Sequence, residues 1–465
     1  MDSIGVEPPT VHHVVAIPFP CQGHTNAMMS LCKLLYSRIN NLLITFVVTT
    51  EEWRRCIVSV PTPANFRLEL ITPNIVERPK GLDYGDFNEA VMTNMEAPFE
   101  QLLDRLEPPV ARILADFELQ WPIDVGCRRK IPVASLWTMS ASFFLELHRA
   151  LALIENGHLS LHFSAIYIGD GEEQMDTIPG ITSTQLEDLQ TVILETDAQG
   201  LETILQGISK AYKTQYLLVN SVYELEPRAF DTLKAIFAFP VYSIGPATRY
   251  LEIEDSSSKI RPGDYHLKWL DSQPKDSVLY FSLGSFIVVS DAQMDAFAAA
   301  LRSSGVRFFW VARAASSRLK ESCGDMGLVV QWCDQLRVLC HPSVGGFLSH
   351  CGWNSTQEAV YAGVPMLTFP QFLDQIPNSR QIVEDWKTGW SVNRAEARSD
   401  QILVPKEAIA ELVERFMDLE SREGNEIRER ARELKNLCRQ AIAKSGSSYA
   451  NLDAFICTFF DGHDH

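Results

Sequence analysis

The chain has 465 residues, 46% of them hydrophobic and 22% charged. That composition suits a soluble globular protein of two or three domains and excludes disorder over most of the length. Forty-one Lys and Arg against 59 Asp and Glu leave a formal charge of −18, so there is no net positive footprint for nucleic acid or for an anionic membrane surface. The opening residues MDSIGVEPPT lack the basic start and apolar core of a secretory signal. No apolar run approaches the ~18 residues of a spanning helix, so membrane insertion is not expected. Ten cysteines without a Cys-x-x-Cys pair suggest reduced thiols, no structural zinc and a cytoplasmic protein.

Val11–Phe19 reads as a buried strand, followed by a loop PCQGHTN and a helical pattern over Ala27–Arg38. Leu42–Thr50, Val110–Asp116 and Pro132–Trp137 are further strands, and Tyr216–Ser221 and Pro240–Gly245 close this half. Continuous apolar strands separated by helices predict a parallel sheet covered on both faces. Residues 251–264, LEIEDSSSKIRPGD, are polar and Ser-rich and mark a boundary. The pattern then restarts with a strand over Ser277–Ser285 that ends in a Gly-Ser turn, and an amphipathic helix over Asp291–Ser304. Strands follow at Val306–Arg313, Leu328–Trp332, Val344–His350 and Pro365–Phe369, then two charged amphipathic helices over 405–443 and a last helix from Ser447. The expected organisation is an N-terminal domain over 1–248, a linker over 249–264, a C-terminal domain over 265–445 and a C-terminal helical segment over 446–465. The fold class is α/β, with two Rossmann-like doubly wound domains. In such sheets ligands bind at the carboxyl ends of strands near a switch in strand order. Two such domains facing each other place a site in the cleft between them.

The stretch Trp332 to Gln375, WCDQLRVLCHPSVGGFLSHCGWNSTQEAVYAGVPMLTFPQFLDQ, carries most of the chemistry. It holds a strand, a short loop and a helix read as opening at Ser355, with Asn354 and Ser355 as good N-cap types. A helix N-terminus after a strand offers backbone N–H groups and a positive dipole end to an anion. His350 and the Ser355 hydroxyl add donors, and no Lys or Arg lies between His350 and Glu358. A diphosphate is then held by hydrogen bonds and dipole. Glu358, one turn into the helix, is placed to accept the hydroxyls of a ribose, and Trp332 offers a flat face to a base.

Taken together, Trp332, Gln335, His350, Gly352 to Ser355, Glu358, Asp374 and Gln375 resemble the signature box of the plant family 1 UDP-glycosyltransferases. The Trp332-Cys333-Asp334-Gln335 variant of its opening is similar to one subfamily. FSLGS before the box and KSGSS near the C-terminus extend the likeness along the chain. The resemblance implies a GT-B fold and inverting transfer of glucose from UDP-glucose as co-substrate, with no cofactor. It implies UDP contacts from Ser285, Trp332, Cys333, Gln335, His350, Asn354, Ser355 and Glu358, and sugar contacts from Thr138, Trp353, Asp374 and Gln375. It also implies that His24, in PCQGHTN, is the general base and that Asp116, at the end of its strand, is the partner of His24. A neutral imidazole titrating near pH 6.5 accepts a proton at neutral pH, and a carboxylate on its far nitrogen fixes the tautomer and stabilises the imidazolium. No Asp-x-Asp motif calls for a metal.

The acceptor is expected to be a small lipophilic molecule such as a flavonoid, phenol, terpenol or hormone. Candidate lining segments lie around Pro20, Asp83–Asn94, Ser140–Phe144 and Ile178–Leu186, with Phe19, Phe143, Phe144 and Phe372 as apolar walls. Two other readings stay open: carbon transfer to a phenolic ring, and a catalytically silent nucleotide-sugar-binding protein. The absence of Gly-x-Gly-x-x-Gly after a strand and of Gly-x-Ser-x-Gly speaks against a dehydrogenase and a serine hydrolase. A monomer is expected.

Overall fold

The computed structural model describes residues 11–50, 65–72, 84–156, 192, 198–246, 265–284, 289–312, 319, 326–392 and 403–461. These fall into two compact units. One is built from the described residues within Met1–Phe163, Asp197–Ala247 and Lys444–His465, the other from those within Ser164–Thr196 and Thr248–Ala443. The proposed linker, 249–264, lies outside the described residues.

The first unit holds one parallel sheet of β1 (His12–Ile17), β2 (Leu42–Val48), β3 (Phe66–Leu70), β4 (Arg112–Asp116), β5 (Val133–Trp137), β6 (Tyr216–Val219) and β7 (Val241–Ser243). Their spatial order is β3-β2-β1-β4-β5-β6-β7. Val15 of β1 faces Thr45 of β2 on one side and Ile113 of β4 on the other. All seven residues of β2 are buried, as a strand covered on both faces requires. β3 is absent from the sequence reading because it is an edge strand: FRLEL buries Phe66 and leaves Arg67 exposed, with no apolar run to mark it.

Sheet order runs outward from β1 in one direction and from β4 in the other, so the switch lies between these two strands. The residues just past the end of β1 therefore stand beside those just past the end of β4. The segment after β1 departs from the expected loop. Helix Gln22–Tyr36 begins within PCQGHTN, and His24 is its third residue. Gly23, Thr25 and Asn26 are weak helix formers, which is why they read as loop. Burial of Thr25, Ala27, Met28 and Leu31 on the helix's inner face outweighs that propensity.

Helix Ser447–Ile456 also belongs to this unit. Arg38 stacks on the Tyr449 ring at 3.8 Å and pairs with Asp453 at 2.8 Å. Asn451 donates to Ser243 Oγ at 2.9 Å, and the hydroxyls of Tyr242 and Thr458 lie 3.0 Å apart.

The second unit holds β8 (Val278–Ser282), β9 (Arg307–Val311), β10 (Gly327–Val330), β11 (Val344–Ser349), β12 (Met366–Thr368) and β13 (Gly389–Ser391), again all parallel, in the order β10-β9-β8-β11-β12-β13. Its switch lies between β8 and β11. On one face Phe281 stacks on Trp310 with ring centroids 4.5 Å apart and packs against Phe297. β13, three residues long, gave the sequence reading nothing to detect.

Candidate active site

The first sheet places candidate residues past the carboxyl ends of both strands that flank its switch, and the second places them past the end of β11. In the first unit His24 Nδ1 lies 2.8 Å from Asp116 Oδ2 and 3.1 Å from Thr138 Oγ1. Asp116 is the last residue of β4 and is buried; its other oxygen accepts the Glu118 N–H at 3.1 Å. The Phe19 ring packs on the imidazole, centroids 5.3 Å apart. Nδ1 is committed to Asp116, which leaves Nε2 as the other ring nitrogen.

Glu118, which the sequence reading did not select, lies on that side: its Oε1 is 3.9 Å from Nε2. The only signal in the sequence is its place two residues after Asp116. Burial alone would lower the imidazole pKa, but the carboxylates of Asp116 and Glu118 outweigh it and raise it to about 10. The shift runs against the expectation of an ordinary imidazole, because the two carboxylates favour the protonated form.

Thr138 comes directly after β5 and is buried. The helix after it, Ala141–Glu155, is capped twice. Ser140 Oγ accepts the Phe143 N–H at 3.2 Å. The buried Glu226 carboxylate accepts the N–H groups of Ala141 and Ser142 at 3.1 and 2.8 Å and the Ser221 hydroxyl. Phe143 and Phe144 do not form open walls. They are buried with Trp137, and Phe144 also packs on Phe117. Hydrophobicity alone cannot separate a core side chain from a pocket wall. Asp83 and Ile178–Leu186 lie outside the described residues.

In the second unit β11 leads to His350, and helix Trp353–Ala362 comes next. Its N-cap is Gly352, which has no side chain to cap the first turn. Asn354 and Ser355 are thus inside the helix, a correction to their reading as caps. Cys351 takes the left-handed conformation, φ 67°, and its carbonyl accepts from Asn378 Nδ2 at 2.9 Å and Thr356 Oγ1 at 3.3 Å. The His350 ring sits between two glycines. A Cβ at Gly284 (φ 75°) or Gly352 would come within 2.7 or 2.5 Å of it. Burial lowers the His350 pKa to about 4, so it is neutral at pH 7, and its buried Nδ1 has no hydrogen-bond partner among the described residues.

Gln335 donates to Ser355 Oγ at 2.9 Å and to Glu358 Oε2 at 2.7 Å, while its carbonyl accepts from the Tyr280 hydroxyl at 3.0 Å. Tyr280, unnoticed in the sequence, is buried on β8 and also lies 3.5 Å from Cys333 Sγ. Burial raises the Cys333 thiol to about 12. Trp332 is 59% exposed. Trp353 is buried, its ring 6.3 Å from that of Trp386. The Asp374 carboxylate accepts from Asn378 at 2.8 Å, and Gln375 Oε1 accepts the Gln371 N–H at 3.0 Å. Ser285 lies outside the described residues. Among the described residues no group of three His, Cys, Asp or Glu is arranged for a metal ion, and no helix is long and apolar enough to cross a membrane.

Two Rossmann-like units, each with polar residues gathered at its switch point, define a nucleotide-sugar transferase architecture, GT-B. The model of the family described as UDP-glucoronosyl and UDP-glucosyl transferase matches residues 257–415. UDP-glycosyltransferase 87A1 of Arabidopsis thaliana is 46% identical over 95% of this chain and 98% of its own. UDP-glycosyltransferase 87A2 of the same plant is 45% identical over 98% of both. Among solved structures, UGT2 of Phytolacca americana, complexed with UDP-2fluoro-glucose and pterostilbene, aligns with a TM-score of 0.78 and 26% identity over 96% of this chain and 99% of that one. The chain belongs to the plant UDP-glycosyltransferase family and is an enzyme of glycosyl transfer from a UDP-sugar.

Proposed function

We propose that this enzyme transfers glucose from UDP-glucose to a hydroxyl of a small apolar acceptor with inversion, using His24 as general base and Asp116 as the partner of His24. The observation that carries the mechanism is the 2.8 Å contact between His24 Nδ1 and Asp116 at the switch point of the first sheet. The acceptor hydroxyl gives its proton to Nε2 as its oxygen bonds to the anomeric carbon. The bond from that carbon to the diphosphate oxygen breaks, and UDP leaves with the electron pair. Asp116 stabilises the imidazolium that forms.

The second unit supplies groups suited to the donor. Trp332 offers an exposed ring to uracil. Both amide hydrogens and the carbonyl of Gln335 are already engaged, so its side chain serves to orient Glu358 toward a ribose. The uncapped start of helix Trp353–Ala362, with Asn354 and Ser355, receives the diphosphate. His350 is held neutral and so supports that charge as a hydrogen-bond donor. The resemblance adds Ser285 to the diphosphate contacts and Thr138, Trp353, Asp374 and Gln375 to the sugar contacts. Pterostilbene in the similar Phytolacca americana structure supports a small aromatic acceptor.

The test is UDP release and product mass with UDP-glucose and a panel of phenols, flavonoids and terpene alcohols. A product one hexose heavier is expected. His24→Ala should lower kcat by ~10²–10⁴ with the Kd for UDP-glucose unchanged, and near wild-type turnover in that variant would sink the assignment.

A further inference from the structure

Tyr280 lies in the middle of β8 and is 1% exposed. Its ring stacks on Phe347 of β11 with centroids 4.9 Å apart and lies 5.9 Å from Phe309 of β9. Both strands that flank β8 therefore hold the ring, and its hydroxyl stands at a fixed point. A buried phenol needs a partner for its O–H. Here the partner is the side-chain carbonyl of Gln335, at 3.0 Å.

The polarity of that contact is set from the other side. Gln335 Nε2 lies 2.7 Å from Glu358 Oε2 and 2.9 Å from Ser355 Oγ. An ionised carboxylate only accepts, so it must meet the amide N–H and not the amide carbonyl. The carbonyl then points at Tyr280, and the phenol must donate. With its one proton engaged there, the phenol oxygen is left to accept from Cys333, whose Sγ is 3.5 Å away. Burial raises the Tyr280 pKa well above that of an ordinary phenol, so the donor keeps its proton. The result is one directed chain: thiol to phenol, phenol to amide, amide to carboxylate and to the Ser355 hydroxyl. It runs from the core of the sheet to helix Trp353–Ala362.

We propose that Tyr280 is a positioning residue for the nucleotide: its hydroxyl holds the Gln335 amide in the one orientation that presents N–H to Glu358, and so fixes the Glu358 carboxylate for the ribose. This rests on the assignment of Glu358 to a ribose made above. Without the hydroxyl, the Gln335 carbonyl has no donor among the described residues, and nothing on that side opposes rotation of the amide. A rotated amide sets its oxygen against the carboxylate, which then turns away from its place. Tyr280 acts through Gln335 and needs no contact with the nucleotide itself.

The experiment measures the Kd of UDP and of 2′-deoxy-UDP by titration calorimetry for wild type, Tyr280→Phe and Glu358→Ala. The wild type should bind UDP at least about tenfold more tightly than the deoxy form, as expected for a hydrogen bond to a charged group. Tyr280→Phe keeps the ring and its stacking. It should cut the ratio to about threefold or less by weakening UDP, with the deoxy form little changed. A tyrosine that serves packing alone would lower the melting temperature and leave the ratio as it was, and that result overturns the proposal. If Tyr280→Phe fails to fold, Gln335→Met breaks the same chain one link further on: a reduced ratio supports the proposal and an unchanged one overturns it. Equal affinity of the wild type for both nucleotides, or a ratio unmoved in Glu358→Ala, overturns the ribose assignment and this proposal with it. A ratio lost in Glu358→Ala but kept in Tyr280→Phe overturns the role of Tyr280 alone.

Discussion

At the scale of residues, the most consequential feature is the charge around His24. A base must be neutral to accept a proton. With its pKa raised to about 10, the neutral imidazole is the minor form at pH 7. Raising the pH removes the proton that Asp116 and Glu118 stabilise and gives the neutral imidazole that the proposed mechanism requires. For an aliphatic alcohol acceptor, which does not ionise itself, kcat/KM should therefore rise about tenfold per pH unit from 6 to 9 without levelling. A plateau beginning below pH 8 in a pH-rate profile would contradict this. The same shift acts on stability in the opposite sense. Protonated His24 stabilises the fold fully below the unfolded pKa of ~6.5, and that contribution is lost as the pH climbs through about 10. His350, lowered to about 4 by burial between Gly284 and Gly352, stays neutral throughout this window, so the profile belongs to His24.

At the scale of elements, helix starts govern both candidate sites, and they were the least legible part of the sequence. Strands β1, β2, β4 and β5 announce themselves as apolar runs, and Trp332–Gln375 carries enough fixed residue types to reveal a nucleotide-sugar box. The starts of helices Gln22–Tyr36 and Trp353–Ala362 fall on Gly, Thr, Asn and Ser, whose intrinsic preferences point to loop or cap, while burial of one face of each helix decides the outcome. Glu118 and Tyr280 escaped for the same reason: their roles arise from atoms distant in sequence or from a side-chain direction. Glu226 is a third such residue. Its buried carboxylate holds the first two N–H groups of helix Ala141–Glu155, 85 and 84 positions away, and so anchors the segment just past Thr138. Glu226→Ala leaves those donors and the Ser221 hydroxyl unpaired, which costs about 2–3 kcal/mol. The expected result is a lower urea midpoint with the Kd for UDP unchanged, because UDP is assigned to the other unit. An unaltered midpoint would show that the cap adds no stability.

At the scale of the whole molecule, the chain passes from the first unit into the second and returns, since Lys444–His465 belongs with the first. The returning segment supplies packing the first sheet does not otherwise have. Phe455 and Phe459 meet Tyr216, with centroids 6.1 and 5.2 Å apart, and Phe455 also meets Tyr242 at 5.8 Å. Arg112 donates to the carbonyls of Phe459 and Phe460, and Arg38 is fixed by Tyr449 and Asp453. A chain cut after Ala443 therefore exposes aromatic surface on β6 and β7 and strands two guanidinium groups, although it leaves the proposed UDP residues intact. Fully burying one aromatic side chain is worth about 1.5–3 kcal/mol. Loss of Phe455, Phe459 and Phe460, each 5% exposed or less, is then comparable with the entire stability of an ordinary domain. The truncated protein should lose its first thermal transition, or precipitate, while hydrogen exchange over β8–β12 stays slow and UDP still protects those strands. If both units melt as in the full chain, the tail contributes no more than a surface coating. If protection is lost in both, the second unit draws stability from the tail that the contacts within the first do not account for.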